Sequence, residues 1–243
     1  MQYEFTLKIK EYIRKIEEEI SRKIDFIWVP KEQMPIDDAT AVISMSSERI
    51  IVLLNSSKKV SNTDWEHCIP HEATHALLIY KHKYYNPLPK RIPTKEEQVG
   101  VGLLVSMVDD IVVDTIIQKE GFPPFSDNYL PQIQETTINM TKGIAYNKLL
   151  PGYPKAKGIF IVLRYVTAWG NLKYNKLDEN AEMILRNYLK SYPRFFPGQY
   201  KTANQTIDLI SQYDIFTSEG RNKTIEAVLK IWHYDNLIEL VNL

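Results

Sequence analysis

Apolar residues recur at spacings of three and four at the start of the chain. Phe5, Ile9, Tyr12, Ile13, Ile16 and Ile20 share one face and charged residues fill the other, so residues 3–22 are expected as an amphipathic helix. The texture then changes. "IDFIWV" (24–29), "ATAVISM" (39–45) and "RIIVLLN" (49–55) are short and β-branched, bounded by Pro30, Pro35, Asp37-Asp38 and Ser46-Ser47. They read as strands, the last two as a hairpin. No further strand is expected after Asn55.

The next helix opens near Asp64, where Thr63 and Glu66 have capping-box spacing. Pro70 either bends it or begins a fresh helix at its first position. Both versions keep His71 to His82 helical. "KHKYYNPLPKRIP" (81–93) reads as a proline-punctuated loop. Thr94 and Glu97 repeat the capping-box spacing, and a long apolar helix follows until Gly121, with Pro123 and Pro124 beyond. Further helices are expected near 155–170, 178–191, 202–213 and 222–240. The fold class is α+β: a small N-terminal antiparallel sheet, two long helices, and a mostly helical C-terminal half. The expected division is a core over 1–122 and a helical subdomain over 123–243 packed on it.

Composition narrows the function classes. Thirty basic residues balance thirty acidic ones, so no overall charge points to nucleic acid or a membrane surface. Cys68 is the only cysteine, which excludes an intramolecular disulfide and suits a reducing compartment. The N-terminus lacks the apolar core of a signal peptide, and no run of about 18 uncharged apolar residues occurs. The expectation is a soluble cytoplasmic protein.

Candidate chemistry sits in "CIPHEATHALLIY" (68–80), which contains His71-Glu72-Ala73-Thr74-His75. Residues four apart share a helical face, so His71 and His75 can aim their nitrogens at one Zn2+ ion. Glu72 lies about 100° round the helix, beside that ion, where it can act as general base toward a metal-activated water. A third ligand is sought in "SMVDDIVVDTII", because carboxylates in so apolar a helix need compensation. Asp110 is the expected ligand. Asp114, on the same face, is expected to accept a hydrogen bond from the far nitrogen of a ligand histidine and so orient it. Asp109 points elsewhere, toward the surface or a substrate. Glu97 is the reserve ligand, ahead of His82 and His67. His233, Tyr146 and Tyr165 are candidate oxyanion donors without a commitment to any.

His71-Glu72-x-x-His75 followed by Asp110-x-x-x-Asp114 resembles the core of zincin metallopeptidases. The gluzincins, whose second helix carries a Glu-x-x-x-Asp pair, are the nearest arrangement. This chain has aspartate where they have glutamate, and a longer interval between motifs. The resemblance covers about residues 39–122. It implies a zincin-like core with metal ligands His71, His75 and Asp110, base Glu72 and orienting Asp114. It also implies that "RIIVLLN" is an edge strand receiving a peptide or protein substrate. The expected function is zinc-dependent peptide-bond hydrolysis. The alternative is a catalytically inactive zincin-like module that binds zinc and a partner, against which the intact Glu72 speaks. Nucleic-acid binding through "YKHKYYNPLPKR" (80–91) is not expected.

Overall fold

The computed structural model describes residues 3–35, 39–46 and 48–241. The expected strand borders at Asp37-Asp38 and Ser47 lie outside the described residues. The chain forms two compact units. One comprises the described residues up to Tyr84 together with Val113–Asp127, and the other comprises Tyr85–Val112 and Asn128–Val241. The sequence-based division at residue 122 follows chain order, whereas each of these units is drawn from separate stretches.

In the first unit, helix α1 (Leu7–Ile20) buries the anticipated stripe of Ile9, Tyr12, Ile13, Ile16 and Ile20. Thr6 caps its start by accepting from the Ile9 N–H, and Ser21 ends it in a left-handed conformation. Strands β1 (Ile24–Val29), β2 (Ala41–Met45) and β3 (Ile50–Asn55) form one sheet in the order β1-β3-β2. The expected β2–β3 hairpin is present and antiparallel. The expectation of a wholly antiparallel sheet is corrected, since β1 pairs with β3 in parallel. β3 is the most continuously apolar strand, with Val52 and Leu54 fully buried, and such a strand is accommodated best between two neighbours.

Helix α2 (Asn62–Tyr80) carries the histidine motif and passes through Pro70 unbroken. Its cap is not the Thr63/Glu66 pair. Ser61 accepts from the Asp64 N–H at 3.0 Å while the Asp64 carboxylate accepts from the Ser61 N–H at 3.1 Å. The second Asp64 oxygen accepts from the Asp127 N–H at 3.0 Å, tying the start of α2 to the segment that follows the next long helix. The Pro70 carbonyl accepts from the Thr74 hydroxyl at 2.7 Å, and Thr74 lies 2.8 Å from the Tyr12 hydroxyl of α1. These bonds tie the turn that follows Pro70 to α1.

Helix α3 (Lys95–Lys119) contributes its first part to the second unit and its residues from Val113 to the first. Its anticipated capping box is present: the Thr94 N–H donates to Glu97 at 2.8 Å, and the Glu97 N–H donates to the Thr94 hydroxyl at 3.2 Å. Gly121 terminates it at φ +82°, a conformation that favours glycine, and the Phe122 N–H bonds back to the Ile117 carbonyl at 3.0 Å.

The second unit adds α4 (Tyr129–Thr141), α5 (Pro154–Tyr174), α6 (Glu179–Phe195), α7 (Pro197–Gln212) and α8 (Ser218–Ile231). Pro154 and Pro197 begin helices, as proline at a first helical position favours. α4 was not anticipated; Pro131 falls in its first turn. Two short strands, β4 (Asn86–Pro89) and β5 (Ile238–Val241), pair antiparallel, so the expectation of no strand after Asn55 is corrected. Pro87 and Pro89 disguise β4, since neither can donate to a ladder. Gly170 allows α5 close against α3, where an added Cβ would stand 2.7 Å from Ile111. No helix among the described residues is long and apolar enough to cross a membrane.

Candidate metal centre

Three histidines at four-residue intervals, His67, His71 and His75, form a ladder along one face of α2. Adjacent rings are 5.2 Å and 5.0 Å apart between centroids. The middle member is the best determined. His71 Nδ1 lies 2.9 Å from Asp114 Oδ1 on the last part of α3, and both side chains are about seven-eighths buried, at 13% exposure each. An ionised carboxylate only accepts, so beside an ionised Asp114 a neutral His71 would carry its proton on Nδ1 and present the lone pair of Nε2. That Nε2 faces His75 Nε2 at 3.3 Å.

This separation tests whether the pair fits a zinc ion. Two nitrogens each about 2.0–2.1 Å from a tetrahedral ion stand roughly 3.3–3.4 Å apart. Two imidazole lone pairs held at that distance repel unless a proton or a cation lies between them. The donor set therefore suits a borderline divalent metal.

Glu72 projects from α2 toward β2, where its Oε2 accepts from the Ile43 N–H at 2.9 Å. The pairing explains why that donor is available to it. The Asn55 N–H bonds to the Thr40 carbonyl and the Ser46 N–H to the Arg49 carbonyl. Alternation along the β2–β3 ladder then turns the Ile43 N–H outward, away from β3. A charge-assisted bond of this kind fixes the carboxylate's direction. The same topology corrects one expectation: "RIIVLLN" is β3, paired on both sides, and cannot receive a further strand. The edge strand beside α2 is β2.

The remaining candidates separate clearly. Asp110 is half-buried on α3, one turn before Asp114 on the same helical face. Asp109 is neither surface nor substrate-side. It is 4% exposed and accepts from Arg221 Nε at 2.7 Å and Nη2 at 2.6 Å within the second unit. Both oxygens of Glu97 are engaged by Arg91, which with the cap holds its carboxyl far down, at about 2. Its carboxylate is thus engaged at the start of α3. His82 lies beyond the end of α2, and burial lowers its basicity. Burial pushes the Cys68 thiol up to about 12, which disfavours its thiolate form.

Tyr146, Tyr165 and His233 belong to the second unit. The Tyr146 hydroxyl lies 3.0 Å from that of Tyr188, and Tyr165 packs on Tyr192. His67 was undervalued in the sequence because Pro70 made its direction unreadable. Its Nδ1 lies 3.0 Å from the Pro123 carbonyl. The four-residue spacing from His71 was the available signal.

No family model, no curated protein and no solved structure matches this chain.

Proposed function

We propose that the chain is a zinc-dependent metallopeptidase with a zincin-like core, in which His71, His75 and Asp110 hold the ion and Glu72 is the general base. The observation that carries this reading is His71 itself, bonded through Nδ1 to Asp114 while its Nε2 faces His75 Nε2 at 3.3 Å. A carboxylate behind a ligand histidine sets the tautomer and ring direction, as such sites require.

Within the first unit, α2 makes a run of contacts with the end of α3 and the segment beyond it. Asp64 meets Asp127, His67 meets Pro123, and His71 meets Asp114. Positions that rise along α2 fall along the other segment. Asp110 lies one turn before Asp114 on the same face of α3, and that spacing is the ground for taking it as the third ligand.

A zinc ion held there would supply Lewis acidity, polarising a substrate carbonyl and acidifying water to a pKa near 7. Glu72, steadied by the Ile43 N–H, takes a proton from the attacking water and returns it to the departing amine as the C–N bond breaks. Asp114 keeps the His71 proton on Nδ1 throughout. The peptide lies extended along the outer edge of β2, bonded through its main chain.

The test is Glu72→Gln, assayed on a peptide library beside the wild-type chain. Proton-transfer catalysis contributes about 10²–10⁴-fold, so activity should fall by that factor while bound zinc is retained. Zinc-dependent activity untouched by Glu72→Gln, or its absence in the wild-type chain, would sink the peptidase reading. A zinc-binding interaction module would be indifferent to the substitution.

A further inference from the structure

The ladder on α2 has one histidine more than the proposed centre uses. His67, His71 and Asp114 each offer an atom within 4.8 Å of the others, all three inside the first unit. With Nδ1 of His67 at the Pro123 carbonyl, Nε2 is the nitrogen through which His67 can ligate. The nitrogen of His71 nearest Asp114 is Nδ1, at 2.9 Å. Two imidazoles and a carboxylate form a donor set that suits zinc and its neighbours in the first transition row over magnesium or calcium.

We infer that His67, His71 and Asp114 form a second divalent-metal site, one helical turn from the first and exclusive with it. The exclusion follows from the chemistry of His71, and the inference rests on the proposed centre only for this competition. A neutral imidazole carries its proton on one nitrogen and ligates through the other. Ligation through Nε2 toward His75 keeps the proton on Nδ1 and makes Asp114 an acceptor. Ligation through Nδ1 toward His67 moves the proton to Nε2, makes Asp114 a ligand, and leaves Nε2 an N–H donor toward His75 Nε2 that can no longer hold a metal. One histidine thus selects between two registers of the same ion. In the second register the ion lies one turn away from the position beside Glu72, so the chain would hold metal without the geometry for catalysis.

The experiment is equilibrium dialysis of the metal-stripped chain against graded Zn2+, with metal content per chain measured for four proteins. These are the wild type, His67→Gln, His75→Ala and the double variant. Gln keeps an amide donor for the Pro123 carbonyl, and circular dichroism checks that each variant is folded. The wild type should saturate at one ion per chain, and His67→Gln should do the same with similar affinity. His75→Ala should still bind one ion, at least about tenfold more weakly, since even partners behind a ligand contribute that much. The double variant should bind none. Long-range ¹⁵N spectra of the loaded proteins should place the His71 proton on Nδ1 in the wild type and on Nε2 in His75→Ala.

Complete loss of zinc in His75→Ala, with His67→Gln unaffected, would overturn the second site and leave the first. Two ions per wild-type chain would overturn the exclusion. A single ion lost in His67→Gln and kept undiminished in His75→Ala would support the second site and sink the proposed peptidase centre. A wild type that binds no zinc would overturn both.

Discussion

Asp109 and Asp114 stand close together on one apolar helix, and their partners give them opposite characters. Asp109 meets Arg221, which is 0% exposed and also donates to the Tyr85 carbonyl and Asn222 Oδ1. A guanidinium is permanently charged and has no second role to offer, so that carboxylate is consumed in holding the second unit together. Asp114 meets an imidazole, which has a movable proton and a second nitrogen. A carboxylate paired with histidine therefore reaches past its partner, setting the state of an atom it does not touch. Burial alone does not distinguish a structural carboxylate from a functional one; the partner does.

The largest effect should come from breaking the structural pair. Asp109→Ala strands a buried guanidinium and should cost about 3–5 kcal/mol in urea unfolding. Replacing both partners, Asp109→Leu with Arg221→Met, should cost less than Asp109→Ala alone. A double variant as unstable as the summed single changes would mean the two groups are not coupled. Asp114→Asn should do the reverse: near-normal unfolding, but zinc bound about 10–100-fold more weakly by competition with a chelator. Unchanged zinc affinity would remove the orienting role from Asp114.

A smaller effect separates the two helices that carry these groups. Ser61→Ala removes the hydroxyl that caps α2 and should lower stability by about 1 kcal/mol in thermal unfolding. The smallest concerns the cap of α3. Glu97 is held below its ordinary carboxylate value, to about 2, first by Arg91 and then by the Thr94 N–H. A depressed folded-state value adds stability above the unfolded pKa of about 4.5, lost as pH falls toward 2. Melting temperatures of wild type and Glu97→Gln should accordingly converge between pH 5 and pH 2.5. A gap that persists at the lower pH would show that Arg91 and Thr94 do not hold the ionised form.

Local rules made much of this chain legible. The stripe of α1, the β2–β3 hairpin, the Thr94/Glu97 cap and the Gly121 stop all depend on residues within a few positions of one another. What failed were judgements in which a local signal had a competitor. α2 is capped by Ser61 and Asp64 in place of the expected Thr63 and Glu66, and Asp64 also bonds the Asp127 N–H, far along the chain. β4 was hidden by its prolines, and its partner β5 lies at the other end of the second unit. β1 was assigned to a simple antiparallel order because neighbours in sequence usually pair, whereas the apolar β3 took the central place.

At the candidate centre the same division holds. The spacing of His71, Glu72 and His75 on one helix was determined by sequence alone, because a period of 3.6 residues decides which side chains share a face. The expectation that Asp114 would bond a histidine of the motif was chemical, and tertiary structure paired it with His71. It also gave Asp109 to Arg221, turned Glu72 onto the outer edge of β2, and set His67 against the Pro123 carbonyl. Each of these outcomes depends on segments distant in sequence meeting in space. The helical period orders neighbours four residues away, whereas the partner of a buried charge is chosen by packing.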